Sequence, residues 1–282
     1  MAAGPNTVKL LSPAKLNLML HIVGRRSDGY HELQTLFQLL DYGDTMDFEA
    51  TDSPELNVNC AGLELPPQQN LAYRAAHLLQ QHSQCRRGAS IKWQKQLPSG
   101  GGLGGGSSNA ATTLLALNRL WDLHLSLDEL AALGQQLGAD VPVFVRGHSA
   151  WAEGIGEKLV PVELPERWYV VIKPACQVST AEVFANEQLT RNTPTIKMAT
   201  VFAQGGHNDC EMVVRQMYPA VDKALIWLNK FSQAKLTGTG ACVFADFANK
   251  QQANTVIRQL PDSWQGFIAK GVNLSPVHAA LA

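Results

Sequence analysis

The chain carries no excess of either charge: 23 Lys and Arg stand against 24 Asp and Glu, a formal net charge of −1. General nucleic-acid and membrane-surface binders need a broad positive field, so neither partner is expected, although a local basic pocket is compatible with these totals. Cysteine is sparse, with five residues at 60, 85, 176, 210 and 242 and no CxxC pair. An odd number at wide spacing excludes a disulfide framework and a thiolate zinc site, and it points to a reducing, cytoplasmic compartment. None of the eight histidines sits four residues from another, which removes the helical histidine-pair metal site. No stretch approaches the apolar length of a membrane span. The opening MAAGPNTVKLL has no basic region followed by a long apolar run, so no secretion signal is expected. There is no internal repeat.

What is present is an ordinary globular composition, 45% apolar and 17% charged over 282 residues, comfortable for two domains. The pattern of elements restarts after about residue 160, giving expected domains 1–160 and 161–282. Residues 15–23, KLNLMLHIV, alternate. Leu16, Leu18, Leu20 and Ile22 share one face and Lys15, Asn17 and His21 the other, as in a half-buried strand with an open polar side. A turn, GRRSDGYH, and further strands follow. Residues 70–82 read as a helix capped by Asn70, and SLDE at 126–129 is a capping box opening another helix. Beyond 161 the order is strand, short helix, one long helix from 208 to about 230, a strand with an internal glycine turn, a helix and a last strand, an α+β arrangement.

The most unusual stretch is LPSGGGLGGGSSNAA at 97–111. Glycine and serine together usually make a flexible spacer, but here a strand (SIKWQKQ) runs in and a strong helix (SSNAATTLLALNRLWDL) runs out. A glycine turn opening a helix lets backbone approach a ligand, and the first helical amides, with the dipole behind them, attract phosphates. Backbone amides rather than side-chain cations are therefore expected to hold the anion. Ser107 and Ser108 fall where an N-cap would lie, so either could cap the helix or reach a phosphate or its Mg²⁺. The Walker loop is excluded because no lysine follows Gly106. A dinucleotide fingerprint fits only because nearly every position is glycine, and Asp122 comes at a helix end where its ribose role fails. Protein-kinase HRD and DFG signatures are absent.

Pro98 and Ser99 followed by GGGLGGGSS, with SPAKLNL at 12–18 and LTGTGACVFA at 236–245, resemble in order and spacing the GHMP superfamily of galactokinase, homoserine, mevalonate and phosphomevalonate kinases. The match narrows through PAKLNLMLHIVGRRSDGYHELQTLFQLLDYGD and LGADVPVFVRG to the branch acting on a cytidine-diphosphate ester of a branched sugar alcohol, in the non-mevalonate route to isoprenoid precursors. The resemblance implies an α+β, two-domain GHMP kinase fold. Its N-terminal domain would be ribosomal protein S5 domain 2-like and its C-terminal domain ferredoxin-like, with the active site in the cleft between them. It implies ATP as co-substrate with Mg²⁺, a small-molecule acceptor phosphorylated at its 2-hydroxyl, and a monomer or homodimer.

Residue by residue, the resemblance makes Pro98, Ser99, Gly100, Gly101, Gly102, Leu103, Gly104, Gly105, Gly106, Ser107 and Ser108 the ATP loop, with Ser107 or Ser108 as the Mg²⁺ contact. Asp140 becomes the base that takes the proton of the attacking hydroxyl, with Lys15 beside it and Asn17 as a hydrogen-bonding neighbour. On sequence alone Asp140 is as readily an exposed loop aspartate. It follows a helix expected to end near Gly138, where the dipole disfavours a carboxylate, and precedes the apolar VPVFV, where a carboxylate needs a partner. Tyr30 would stack on the cytosine ring, His31 would pair with its edge, and Phe184 would close the other face, although a core phenylalanine is an equal reading. Thr237, Gly238, Thr239 and Gly240 form a second amide-lined turn suited to the acceptor's diphosphate or to shaping the cleft. Arg25 and Arg26 add local positive charge or are simply solvated. Homoserine or mevalonate kinase activity, and a non-catalytic ligand sensor of the same fold, are the alternatives. The first leaves GYH unexplained, and the second has no need of both Lys15 and Asp140.

Overall fold

A computed structural model describes residues 6–27, 29–62 and 65–282. Residues 1–5, within the opening where no secretion signal is expected, and Asp28 of the GRRSDGYH turn lie outside the described residues. Two long strands, β1 (Thr7–Arg25) and β2 (His31–Thr51), pair antiparallel along most of their length. Then come β3 (Leu56–Ala61), α1 (Leu71–Ser83), β4 (Gly88–Gln94), α2 (Gly105–Leu120), α3 (Leu127–Gln135), α4 (Val141–Arg146) and the hairpin β5 (Ala150–Gly154) and β6 (Lys158–Pro161). The second half runs β7 (Trp168–Lys173), α5 (Thr180–Ala185), α6 (Met198–Gln204), α7 (Cys210–Met217), α8 (Pro219–Leu228), β8 (Lys235–Leu236), β9 (Val243–Phe247), α9 (Lys250–Ile257), β10 (Gln265–Val272) and α10 (Pro276–Leu281). Its strands lie antiparallel, and Gly271 and Val272 of β10 pair with Leu40 and Leu39 of β2, joining both halves into one sheet.

Two large apolar clusters result. One is drawn from β1, β2, β4 and α1 to α4 with Val277 of α10, and the other from β7 to β9 and α7 to α9 with Leu20 and Ile22 of β1. β1 feeds all four clusters of the fold: Leu10 the first, Ala14 and Leu16 a third, Met19 a fourth, and Leu20 and Ile22 the second.

The alternating segment is not half-open as its pattern suggests. Lys15, Asn17 and His21 are 3%, 2% and 4% exposed, because elements from both halves close over their face. Pro219 divides the expected long helix into α7 and α8, as a residue without an amide hydrogen must. VPVFV is helical, so Asp140 stands before a helix start as well as after a helix end. The caps hold as read: Asn70 Oδ1 accepts from the Ala72 amide at 3.0 Å, and Ser126 and Glu129 close their capping box.

Candidate active site

β4 leads into the glycine segment, which is anchored before it turns. Asp44, at 0% exposure, accepts from the amides of Gln96 (2.8 Å) and Leu97 (2.9 Å), from Asn109 Nδ2 (3.0 Å) and from Lys95 Nζ (2.5 Å). One carboxylate thus ties β2, the loop and α2 together, and its charge is matched by Lys95. Gly102 and Gly104 have φ of +73° and +71°, conformations that favour glycine. A Cβ on Gly102 would lie 2.3 Å from the Thr237 carbonyl, so the loop has room to pack on the second half only without side chains. The amides of Ala241 and Cys242 donate to the carbonyls of Gly100 (3.1 Å) and Gly101 (3.2 Å), pinning the two glycine turns together.

α2 starts at Gly105 with Gly104 as its N-cap, three residues earlier than a Ser107 cap would set it. Ser107 therefore lies in the first turn. Ser108 faces inward, fully buried with its Oγ 2.8 Å from Ser12 Oγ, so it does not cap the helix. This corrects the capping expectation for Ser108.

Two cavities meet at this loop. The loop cavity, about 390 Å³, is bounded by residues 98–107 and by Asn70, Leu71, Trp93, Lys95 and Asn109. The cleft cavity, about 330 Å³, is bounded by Lys15, Asn17, Thr35, Asp140, Phe184, Gly238 and Thr239 among others. They share Gly102, Gly104 and Ser107. On the cleft side Lys15 Nζ donates to Asn17 Oδ1 (2.6 Å) and lies 3.3 Å from Asp140 Oδ2, while its backbone amide donates to the Leu103 carbonyl (3.0 Å). The Lys15 side chain is 4% exposed and that of Asp140 34%, so the carboxylate is the accessible partner. Asn17 Nδ2 donates to Thr35 Oγ1 (2.9 Å), and its amide donates to Thr237 Oγ1 (3.0 Å). An ordered ammonium–carboxylate pair beside a hydrogen-bonded amide, one wall away from an amide-lined turn, can accept a proton from a hydroxyl and steady the charge left behind.

A model of the GHMP kinases N terminal domain matches residues 70–148, and one of the GHMP kinases C terminal region matches residues 188–266. The chain belongs to the GHMP kinases. Among GHMP kinases it is 53% identical over 277 residues to a Tolumonas auensis protein named 4-diphosphocytidyl-2-C-methyl-D-erythritol kinase, covering 98% of this chain and 97% of that one. An Alkalilimnicola ehrlichii protein of the same name is 57% identical over 264 residues, covering 94% and 91%. The crystal structure of a 4-(cytidine 5'-diphospho)-2C-methyl-D-erythritol kinase superposes with a TM-score of 0.82 at 31% identity, over 94% of this chain and 99% of that one. A mevalonate kinase at 18% identity and a TM-score of 0.69 shares the fold. The mixed α+β, two-domain GHMP kinase architecture is thus the observed one.

Of the residues singled out in this GHMP kinase, Pro98 to Ser107 line the loop cavity, and Lys15, Asn17, Asp140, Phe184, Gly238 and Thr239 line the cleft. Thr237 is buried as the link between Asn17 and the second half, and Gly240 is buried behind it. His31 stacks on Phe184 with ring centroids 4.9 Å apart and Tyr30 is 60% exposed, but neither His31 nor Tyr30 itself bounds either cavity. The loop-only cradle is incomplete, because Lys95 lines the same cavity. Neither Lys95 nor Asp44 is singled out by sequence reasoning. A lysine three residues before Pro98, just past the incoming strand, is a signal that could have found the first.

Proposed function

We propose that this GHMP kinase transfers the γ-phosphoryl group of ATP to the 2-hydroxyl of 4-(cytidine 5'-diphospho)-2-C-methyl-D-erythritol, giving the 2-phosphate and ADP, in the cytoplasm, on the non-mevalonate route to isoprenoid precursors. The observation that carries the reading is the shared wall. An amide-rich loop lines one cavity, an accessible carboxylate paired with a buried lysine lines the other, and Gly102, Gly104 and Ser107 bound both. The names of the relatives supply the acceptor. Phosphoryl transfer depends on in-line placement and charge neutralisation more than on covalent help, and a wall shared by two cavities supports a reading in which donor and acceptor lie on either side of it.

In this reading the loop amides and Lys95 hold the β- and γ-phosphates. Asp140 takes the proton of the 2-hydroxyl as it attacks, and Lys15 holds both the carboxylate and the acceptor oxygen in line, itself steadied by Asn17. The turn at 237–240 faces the acceptor's diphosphate. Tyr30, His31 and Phe184 take the cytosine, and the cleft lies between domains 1–160 and 161–282. Among the described residues no cluster of three or more His, Cys, Asp or Glu offers a metal cage. Mg²⁺ bound mainly through phosphates needs only one or two protein oxygens, and Ser107 on the shared wall fits that demand. There the ion would offset phosphate charge.

The test is ADP release from purified protein with ATP and Mg²⁺. Turnover is expected with the cytidine-containing acceptor and none with homoserine or mevalonate. Turnover with either of those, or none with any acceptor, overturns the reading.

A further inference from the structure

Arg191 lies between α5 and α6 and lines neither cavity. Its half-buried guanidinium donates in several directions at once. Nη2 reaches the carbonyls of Phe184 (2.8 Å) and Asn186 (2.7 Å), Nη1 the carbonyl of Leu189 (3.0 Å), and Nε the ring nitrogen Nε2 of His31 (3.3 Å). A guanidinium has five donors, no acceptor, and no deprotonated form at working pH. Every atom it touches must therefore present a lone pair. For three carbonyls this is no constraint. For His31 it decides the chemistry of the ring: Nε2 must be bare, so the one proton of the neutral imidazole sits on Nδ1. Among the described residues Nδ1 has no other partner.

The same cation fixes what the ring rests on. Phe184 and Asn186 close the C-terminal end of α5, where free carbonyls welcome a positive charge, and Phe184 carries the stacked His31 ring at an interplanar angle of 26°. The charges acting on His31 come from two elements, Arg191 after α5 and Arg25 at the end of β1. Burial first, then Arg191, then Arg25 hold the imidazole below its ordinary value of 6.5.

We infer that Arg191 is a positioning residue for the acceptor's base: it locks His31 in the Nδ1–H form and fixes the face of Phe184 beneath it, so that the ring offers the base a donor. The inference rests on the acceptor proposed above. It favours a pyrimidine whose facing edge carries an acceptor, as N3 of cytosine does, over one with N3–H, as in uracil.

Two measurements test it. The first is ¹⁵N NMR of the histidine rings in the wild-type protein at neutral pH, without substrate. The His31 signal should show the Nδ1–H tautomer, and an Nε2–H tautomer overturns the inference whatever the enzyme's acceptor proves to be. The second is steady-state kinetics of Arg191→Met. The KM for the cytidine acceptor should rise about tenfold, the loss of roughly one well-made hydrogen bond, with the KM for ATP unchanged.

The pH dependence separates this from simple loss of packing. Without Arg191 the neutral ring can move its proton to Nε2, but a protonated ring carries Nδ1–H again. The ratio of variant to wild-type KM should therefore shrink as pH falls from about 8 to about 5.5, through the usual histidine range. A ratio that stays flat, or an unchanged KM, overturns the inference. Absence of any turnover by the wild type would instead count against the acceptor, and the NMR result stands apart from it.

Discussion

The two cavities that meet at Gly102, Gly104 and Ser107 are built in different ways. The loop cavity is mostly one continuous stretch, residues 93–109, closed by the start of α1. Its groups are mostly backbone, joined by the Lys95 side chain and held in shape by one buried carboxylate, Asp44. The cleft cavity takes residues from β1, β2, the loop, the segment before α4, α5 and the 237–240 turn, and its groups are side chains. A binder of phosphates needs amides in sequence, which a short motif can encode. A reader of one acceptor needs chemically different groups converging from afar, which only the fold can supply.

Substitutions can pull these two apart. The largest effect is expected at the cleft: Asp140→Asn should lower kcat by about 10²–10⁴-fold, the range for a lost general base, while calorimetry with a non-hydrolysable ATP analogue finds unchanged affinity. Asp44→Ala should do the reverse. It strands Lys95 and the amides of Gln96 and Leu97, and should cost about 3–5 kcal/mol in chemical denaturation and raise the KM for ATP. Tyr30→Ala should raise the acceptor KM several-fold with kcat nearly unchanged, as lost ground-state binding does.

Acid should weaken the whole fold by a smaller amount. Burial, then the neighbouring His207, hold His21 below its ordinary value of 6.5 against the opposing pull of Asp209, and burial does the same to His278. Above 6.5 both histidines are neutral folded or unfolded. Below it the unfolded chain takes up protons that the folded chain refuses, so stability falls. The urea midpoint should be lower at about pH 5.5 than at about pH 7.5, and an equal midpoint would show that neither histidine is held neutral. The least effect belongs to Ser126→Ala, remote from both cavities. It should cost about 1 kcal/mol for the lost cap and leave both KM values alone.

The same contrast sets what could be read from sequence. The strand–glycine–helix order, the Asn70 cap and the Ser126–Glu129 box are local, and each is where its pattern places it. The break at Pro219 was equally legible, since a proline inside a helical pattern ends it. Asp44 was not. Its partners lie more than fifty residues away, and DYGD looks like any turn. Arg191 is hidden for the same reason, 160 residues from the ring it polarises. The alternation at 15–23 names the right face of β1 but cannot say that the second half will cover it.

Because β1 sends side chains into all four apolar clusters, no flexible joint separates the walls of the cleft. Swinging them apart like jaws about a pivot would tear that strand from at least one of its packings. Exchange of ligands between the cleft and solvent should therefore not depend on whole-body rotation of the two halves.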